Sequence, residues 1–153
     1  MGFIADMMLG RLTRWLRLYG YDTLYGIEDD DEILQVALAE NRVLLTRDSD
    51  LAGRARRLGV KVILLDSNSF EGQVGELKKH GIEFRELLPS NARCPKCNGL
   101  IQPVSKDEVR GKVPGGVYQK YDEFYICQNC GQIYWPGRQW REMLKIDEKL
   151  RRV

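Results

Sequence analysis

Val43-Leu44-Leu45-Thr46-Arg47-Asp48-Ser49-Asp50-Leu51 is a short apolar run that ends in two aspartates separated by one residue. Helical patterns precede and follow it, and a Val- and Leu-rich run between helices is typical of a strand buried on both faces of a parallel sheet. In open α/β sheets, ligands bind beyond the carboxyl ends of the strands. We therefore expect Asp48 and Asp50 to stand at a functional edge, although Asp and Ser after a strand are also ordinary helix caps.

Strand and helix patterns alternate along the chain on both sides of this run. Besides residues 43–46, strands are predicted at residues 2–5, 21–25, 60–65 and 82–88. Helices are predicted at residues 7–19, 33–41, 51–58 and 70–79, the last diluted by two glycines. The alternation predicts an α/β fold with a mostly parallel sheet flanked by helices.

Length and composition limit the class of protein. The chain has 153 residues, 43% hydrophobic and 30% charged, which suits one domain with a small appendage. No apolar run approaches the roughly 20 residues of a membrane helix. The amino end lacks the features of a secretory signal, and Asp6 stands where myristoylation needs Ser or Thr. We expect a cytoplasmic protein without a membrane partner.

Charge is distributed unevenly along the chain. Residues 1–90 carry 12 Lys and Arg against 15 Asp and Glu, whereas residues 91–153 carry 12 against 7. An acidic part joined to a basic part suits a phosphate-rich partner that one part holds and the other acts on. A chance fluctuation of a few charges is the alternative explanation.

Two CxxC pairs mark the second part of the chain. Cys94 and Cys97 form the first pair, Cys127 and Cys130 form the second, and 29 residues lie between the pairs. Four thiolates from two such turns can surround Zn²⁺ tetrahedrally. A reducing cytoplasm disfavours disulfides, and a redox CxxC needs no matching second pair. We therefore predict a structural zinc ion bound by these four cysteines.

The segments beside the cysteines carry many aromatic residues. The insert at residues 100–126 has an alternation that favours ribbon strands, and its members are Val117, Tyr118, Tyr121, Phe124 and Tyr125. The tail at residues 134–140, Tyr-Trp-Pro-Gly-Arg-Gln-Trp, leads into an amphipathic helix. Its aromatic side chains beside Arg138 either stack on bases or pack the ribbon against the sheet.

Carboxylates recur where predicted strands end and predicted helices begin. Asp6 follows the first strand, acidic residues 28–32 precede the helix at Ile33, and Asp48 and Asp50 follow the central run. Capping and the helix dipole account for one or two acids at a helix start, but not for five in a row. Crowded carboxylates need a compensating cation, and Mg²⁺ or Mn²⁺ suits oxygen ligands. Such ions can activate a water and hold a phosphodiester.

Basic residues accompany these acids. Arg11, Arg14 and Arg17 fall on one face of the first predicted helix, one turn after Asp6. The stripe is either a solvated face or a phosphate contact. The single histidine, His80, stands before Gly81 at a helix end, and we do not place it in the site. No Ser or Cys nucleophile with a histidine base is therefore available.

Several of these stretches resemble the Mut7-C ribonuclease domain family. They are residues 2–6, Leu9-Gly10-Arg11-Leu12-Thr13-Arg14-Trp15-Leu16-Arg17, residues 18–23, Asp31-Glu32-Ile33-Leu34 and Leu44-Leu45-Thr46-Arg47-Asp48. The resemblance covers nearly the whole chain, and the CxxC pairs fall where that family carries them. It implies a PIN-like nuclease domain at residues 1–90, followed by a zinc ribbon with a C-terminal helix at residues 91–153.

The resemblance also implies a metal-dependent site that cleaves RNA. Its acids are Asp6, either Asp30 or Asp31, and Asp48, with Asp50 as a fourth, and Asp6 and Asp48 are the expected ligands of Mg²⁺ or Mn²⁺. We expect single-stranded RNA, cut internally, because exposed bases suit aromatic platforms. The expected RNA contacts are Arg11, Arg14, Thr46 and Arg47.

Two points stay open from the sequence. The family often has a His after the Trp-x-Gly near its carboxyl end, whereas this chain has Gln139, preceded by Arg138. A non-catalytic protein that binds RNA or a ribonucleoprotein through its zinc ribbon is the alternative function, and the acids are then caps and solubilising groups.

Overall fold

The structure, a computed structural model, describes residues 2–153. The strands and helices are β1 (Gly2–Ala5), α1 (Gly10–Leu18), β2 (Asp22–Leu24), α2 (Asp30–Ala39), β3 (Val43–Thr46), α3 (Ser49–Arg57), β4 (Val62–Leu64), α4 (Phe70–Lys79), β5 (Ile101–Val104), α5 (Gly115–Lys120), β6 (Phe124–Cys127), β7 (Ile133–Tyr134) and α6 (Arg138–Arg151). Short 3-10 turns lie at Met7–Leu9 and Lys106–Val109. Within residues 2–153, no helix combines the length and apolar character needed to cross a bilayer.

A four-stranded parallel sheet, in the order β2-β1-β3-β4, forms the centre of the molecule. Because side chains alternate along a strand, Phe3 and Leu45 face one side of the sheet, and Ile4 and Leu44 face the other. All four are completely buried. Helices α1, α4 and α6 cover the first face, and α2 and α3 cover the second. The predicted parallel sheet flanked by helices is confirmed.

The segment at residues 82–88 contains no strand, so the prediction of a fifth strand there is wrong. Ile82 and Leu87 are buried in the apolar cluster on the α1 face. The Tyr21 hydroxyl donates to the Glu83 carbonyl at 2.7 Å. The apolar pattern of residues 82–88 therefore reflects side chains that pack against helices. Such packing does not require pairing with another strand.

The cysteine-containing part forms a three-stranded antiparallel sheet in the order β5-β6-β7. Phe124 and Tyr125 lie in β6 as predicted. The prediction of a strand at residues 117–121 is wrong, because this segment forms α5 and its C-terminal end. Pro114 stands just before α5, where its fixed φ suits a helix start.

Helix α6 packs onto the core of the parallel sheet. Leu150 is 1% exposed and belongs to the same apolar cluster as Leu16 and Val74. The Tyr19 hydroxyl donates to the buried carboxylate of Asp147. Burial, and then the hydrogen bond with Asp147, raise the pKa of Tyr19, so the hydroxyl keeps its proton. Residues on both sides of position 90 thus share one core, and a domain boundary there stays a prediction.

The first CxxC turn docks on the outer edge of β2. The Thr23 amide donates to Asn98 Oδ1 at 3.0 Å, and Asn98 Nδ2 donates to Asp22 Oδ1 at 2.7 Å. Asn98 adopts a left-handed φ of 72° to reach both groups. Because β2 is an edge strand, Asn98 satisfies a backbone group that would otherwise be open to pairing with another chain.

Arg17 completes this contact and is not an exposed phosphate ligand. The side chain is only 6% exposed. Its Nε donates to the Thr23 carbonyl at 2.9 Å, and its Nη1 donates to the Pro95 carbonyl at 3.0 Å. Burial lowers the pKa of Arg17, although the nearby cysteines and Asp22 oppose that effect. The third arginine of the predicted stripe therefore joins α1, β2 and the first CxxC turn.

Replacing Asn98 is expected to loosen this edge. Asn98→Ala removes the partners of Thr23 and Asp22, and alanine tolerates the left-handed φ less well than asparagine does, so we expect a loss of about 2–4 kcal/mol of unfolding free energy. Asn98→Gly loses the same hydrogen bonds without the φ penalty and is expected to lose about 1 kcal/mol less. Denaturant unfolding of the zinc-loaded protein measures both values. An unchanged stability of Asn98→Ala would show that the edge contact contributes nothing.

Candidate active site and metal centre

Asp6 lies directly after β1, at the carboxyl end of a central strand. Its side chain is 7% exposed, and its Oδ1 accepts the Met8 amide at 2.9 Å, which caps the 3-10 turn. Its Oδ2 accepts a hydrogen bond from the Thr46 hydroxyl. Within residues 2–153, no Lys or Arg forms an ion pair with this carboxylate. Its hydrogen-bond partners are thus neutral donors, and no protein cation lies opposite it among the described residues.

Thr46, the last residue of β3, connects Asp6 to Asp48. The register places Ala5 opposite Leu45, so Asp6 and Thr46 are neighbours at the same end of the sheet. The Thr46 hydroxyl donates to Asp6 and accepts the Asp48 amide at 3.0 Å. Thr46 is completely buried, and its hydroxyl is occupied by these two groups. Its predicted contact with RNA stays a prediction.

Asp48 and Asp50 stand at the start of α3. Asp48 Oδ1 accepts the amides of Asp50 at 2.9 Å and Leu51 at 3.2 Å, so Asp48 is the helix cap. Both carboxylates are exposed. Within residues 2–153, neither one forms an ion pair with Lys or Arg. Capping the helix does not prevent Asp48 from binding a metal ion. One carboxylate oxygen accepts the helix amides, and the other has no protein donor among the described residues.

The acidic segment before Ile33 forms the start of α2. Asp29 caps this helix by accepting the Asp31 amide at 3.1 Å. Asp31 pairs with Arg54 of α3, whereas Asp30 is exposed and makes no ion pair within residues 2–153. In this segment, Asp29 caps the helix, Asp31 forms an ion pair, and Asp30 has no Lys or Arg partner within residues 2–153.

The acids share one edge of the sheet but do not form a closed ligand cluster. Hydrogen bonds join Asp6 to Asp48 through Thr46, and no such link joins them to Asp30 or Asp50 within the described residues. Within residues 2–153, the four cysteines are the only group of three or more possible ligands close enough together to hold an ion, and the acids form no such group. The assignment of the acids as catalytic residues stays a prediction.

The predicted RNA-contacting arginines differ in exposure. Arg11 is exposed, and its guanidinium lies 4.4 Å from the centre of the Phe70 ring at the start of α4. Arg14 is also exposed, one turn further along α1. Arg47 is half-buried, and its Nε is buried without a hydrogen-bond partner in the described residues. His80 is exposed at the end of α4, where its Nδ1 lies 3.0 Å from the Glu76 carbonyl.

The four cysteine sulfurs of the ribbon lie within 4.8 Å of one another. Tetrahedral Zn–S bonds of about 2.3 Å place sulfurs about 3.8 Å apart. The Cys94–Cys130 distance is 3.8 Å and the Cys97–Cys127 distance is 3.4 Å. Both the donor type and the spacing suggest a zinc site, compatible with the predicted zinc ribbon.

Electrostatics at these cysteines also suit a cation. The Asn129 side chain donates to Cys97 Sγ at 3.5 Å, and this bond is the largest of the effects that lower the pKa of Cys97 to about 6. The backbone at Gln132 lowers the pKa of Cys130, but lost solvation and the neighbouring sulfurs outweigh it and raise the value to about 11. Four sulfurs this close cannot all ionise without a compensating positive charge.

Three residues of these sites are not recognisable from the sequence pattern. The Tyr134 hydroxyl lies 2.9 Å from Cys94 Sγ, and burial raises the pKa of Tyr134, so the hydroxyl keeps a proton that it can donate to the sulfur. Asn129 donates to Cys97, and Arg54 pairs with Asp31. Each of the three contacts a residue that is distant in the chain, so the sequence pattern does not reveal the pairing.

A protein-family model described as Mut7-C RNAse domain matches residues 1–147 of the 153-residue chain. Comparison with curated proteins gave no match, and comparison with solved structures gave none either.

Removing the Tyr134 hydroxyl is expected to weaken zinc binding. Hydrogen bonds to metal ligands are typically worth 10–100-fold in affinity, so Tyr134→Phe should release zinc to a chelator about tenfold more readily. The matched control is Tyr118→Phe, a ribbon tyrosine whose hydroxyl contacts Arg110 and no cysteine. Competition with a chromogenic chelator measures the affinity. Equal zinc retention in the two variants would remove Tyr134 from the metal centre.

Proposed function

Because the chain belongs to the Mut7-C RNAse domain family, we propose that it is a Mg²⁺- or Mn²⁺-dependent ribonuclease that cuts single-stranded RNA internally. The family supports a ribonuclease-type activity with RNA as the substrate. The observation that carries the proposal is the hydrogen-bonded series Asp6–Thr46–Asp48 at the carboxyl ends of the two central strands. This is the edge at which open α/β sheets bind ligands.

Asp6 and Asp48 are the proposed ligands of the divalent cation. Asp6 supplies a buried charge that no protein cation balances within residues 2–153. Asp48 supplies an exposed carboxylate on a fixed helix start. A divalent cation bound there supplies Lewis-acid chemistry for attack on phosphorus and for the leaving oxygen. The oxygen donors fit a hard cation, whereas the sulfur donors of the ribbon fit zinc.

Asp30 is the proposed third acid. Arg54 already balances the charge of Asp31, so Asp30 is the member of the pair that can contribute uncompensated charge. Asp50 contributes a further exposed carboxylate in the first turn of α3. Both lie in the first turn of a helix, on the side of the sheet edge where Asp48 also stands.

Thr46 is a positioning residue in this proposal. Its hydroxyl fixes the orientation of the Asp6 carboxylate and the path of the backbone at Asp48. A carboxylate that is already oriented does not have to reorganise when the cation and the phosphodiester arrive.

Arg11, Arg14 and Arg47 are the proposed RNA-contacting residues near the acids. Arg11 is held over Phe70 at the same end of the molecule as Asp6, which keeps a cation beside the acidic edge without neutralising it. Arg47 lies between Thr46 and Asp48 in the sequence, so it provides a guanidinium next to both residues in the chain. Arginine suits phosphate because its planar group donates two parallel hydrogen bonds.

One observation favours the alternative of a non-catalytic RNA-binding protein. Asp29 and Asp48 cap helices, and Asp31 pairs with Arg54, so several acids already have structural roles. The cleavage experiment separates the two functions, because a binding module retains RNA without cutting it.

Asp6→Asn and Asp48→Asn are each expected to reduce metal-dependent RNA cleavage by more than about a hundredfold, since each removes a charge that holds the cation. The matched control is Asp66→Asn, an exposed acid that follows β4 at the same edge. Cleavage of end-labelled single-stranded RNA with Mg²⁺ or Mn²⁺ measures the rate. Full activity in either Asp6→Asn or Asp48→Asn would exclude that residue as a ligand.

Thr46 provides a second test of the same edge. Thr46→Val keeps the shape but removes the hydroxyl, and we expect cleavage to fall about 10–100-fold. Thr46→Ser restores the hydroxyl and should recover most of the activity. Equal activity of the Val and Ser variants would mean that Thr46 does not orient the acids.

A further inference from the structure

A groove of about 940 Å³ lies between the ribbon, the linker and the start of α6. Four aromatic side chains line it, and all are half-buried: Tyr125, Tyr134, Trp135 and Trp140. Its exposed polar side chains include Arg138, Gln139 and Glu142, so the wall carries one basic and one acidic group. A groove of this size with an apolar wall and few polar groups is typical of a ligand site.

The groove is separate from the acidic edge. Helix α1 begins four residues after Asp6 and runs to the opposite end of the sheet. Leu18, in the last turn of α1, lines the groove. The rise of an α-helix places Leu18 about 10 Å from Arg11 along the axis. The aromatic groove and the acids therefore lie at the two ends of one helix.

A basic path connects the two ends. Arg11, Arg14 and Leu18 are spaced by three and four residues, so they lie on one face of α1. Arg11 and Arg14 are exposed on that face, between the acidic edge and the groove. A phosphate backbone that passes over both guanidinium groups runs from the acidic edge toward the groove end of α1, where Leu18 itself is buried.

We propose that the groove is a nucleobase-stacking site for the RNA strand whose phosphodiester lies at the acidic edge. The position of the cut rests on the proposed function, whereas base binding in the groove does not. Residues 91–153 carry 12 basic and 7 acidic side chains, which complements a polyanion. Aromatic rings stack on any base, and Arg138 offers a phosphate contact at the wall. An apolar peptide would use neither the arginine path nor this charge.

The test compares two ribbon tyrosines. Tyr125 lines the groove, and its hydroxyl contacts only Glu123 at 3.3 Å among the described residues, so Tyr125→Ala leaves the zinc ligands intact. The control is Tyr118→Ala, a half-buried tyrosine outside the groove, beside Lys106. The probes are a single-stranded oligoadenylate and an abasic ribose-phosphate oligomer of the same length. Affinities are measured by titration of the full chain without added Mg²⁺ or Mn²⁺.

We expect the protein to bind oligoadenylate more tightly than the abasic oligomer. Tyr125→Ala should weaken oligoadenylate binding about tenfold, as lost base stacking does, and should leave abasic binding unchanged. Tyr118→Ala should change neither. If Tyr125→Ala does not fold, Arg138→Ala at an exposed position should weaken both probes.

Equal affinity for the two probes, or equal losses in the Tyr125 and Tyr118 variants, would overturn the groove assignment. Cleavage with equal probe affinities would reject the groove and keep the nuclease. Base-dependent binding that Tyr125→Ala removes, without cleavage by the unmodified protein in Mg²⁺ or Mn²⁺, would keep the groove and reject the nuclease.

Discussion

The parallel pairing of β1 with β3 is the constraint on which the candidate site depends. Both strands are covered on both faces, so a one-residue slip in register would move every side chain into the opposite apolar cluster and disrupt the packing of both. The fixed register makes Asp6 and Thr46 neighbours, and Thr46 then positions the backbone of Asp48. The helices that follow these residues lead the chain away from the edge, with Asp6 buried at the sheet end and Asp48 exposed beside it.

A second constraint joins the cysteine quartet to the same sheet. Asn98 and Arg17 bind the first CxxC turn to β2, and Tyr134 places a donor on Cys94. A metal ion bound by the cysteines would therefore stabilise the edge of the sheet as well as the ribbon, because the first cysteine turn carries Asn98. Helix α6 then returns to the core beside Tyr19. These contacts pack the ribbon against the parallel sheet that carries the proposed catalytic acids.

The sequence predicted the features that depend on local pattern. Strand β3, the CxxC pairs and the position of Asp6 follow from apolar runs and spacing. The structure differs from the prediction where contacts between distant residues determine the conformation. Residues 82–88 pack without strand pairing, and the first CxxC turn, far along the chain, buries Arg17. The role of Thr46 could not be read from its spacing, because it depends on the register of two strands. The catalytic roles of the acids stay predictions.

The most direct test of the central claim is anomalous X-ray diffraction from crystals of the full chain soaked in Mn²⁺. The proposal predicts a manganese peak between the carboxylates of Asp6 and Asp48, and its loss in crystals of Asp6→Asn. It also predicts that the zinc peak at the four cysteines persists in both crystals. A manganese peak that remains in Asp6→Asn, or manganese bound only away from this edge, would contradict the assignment.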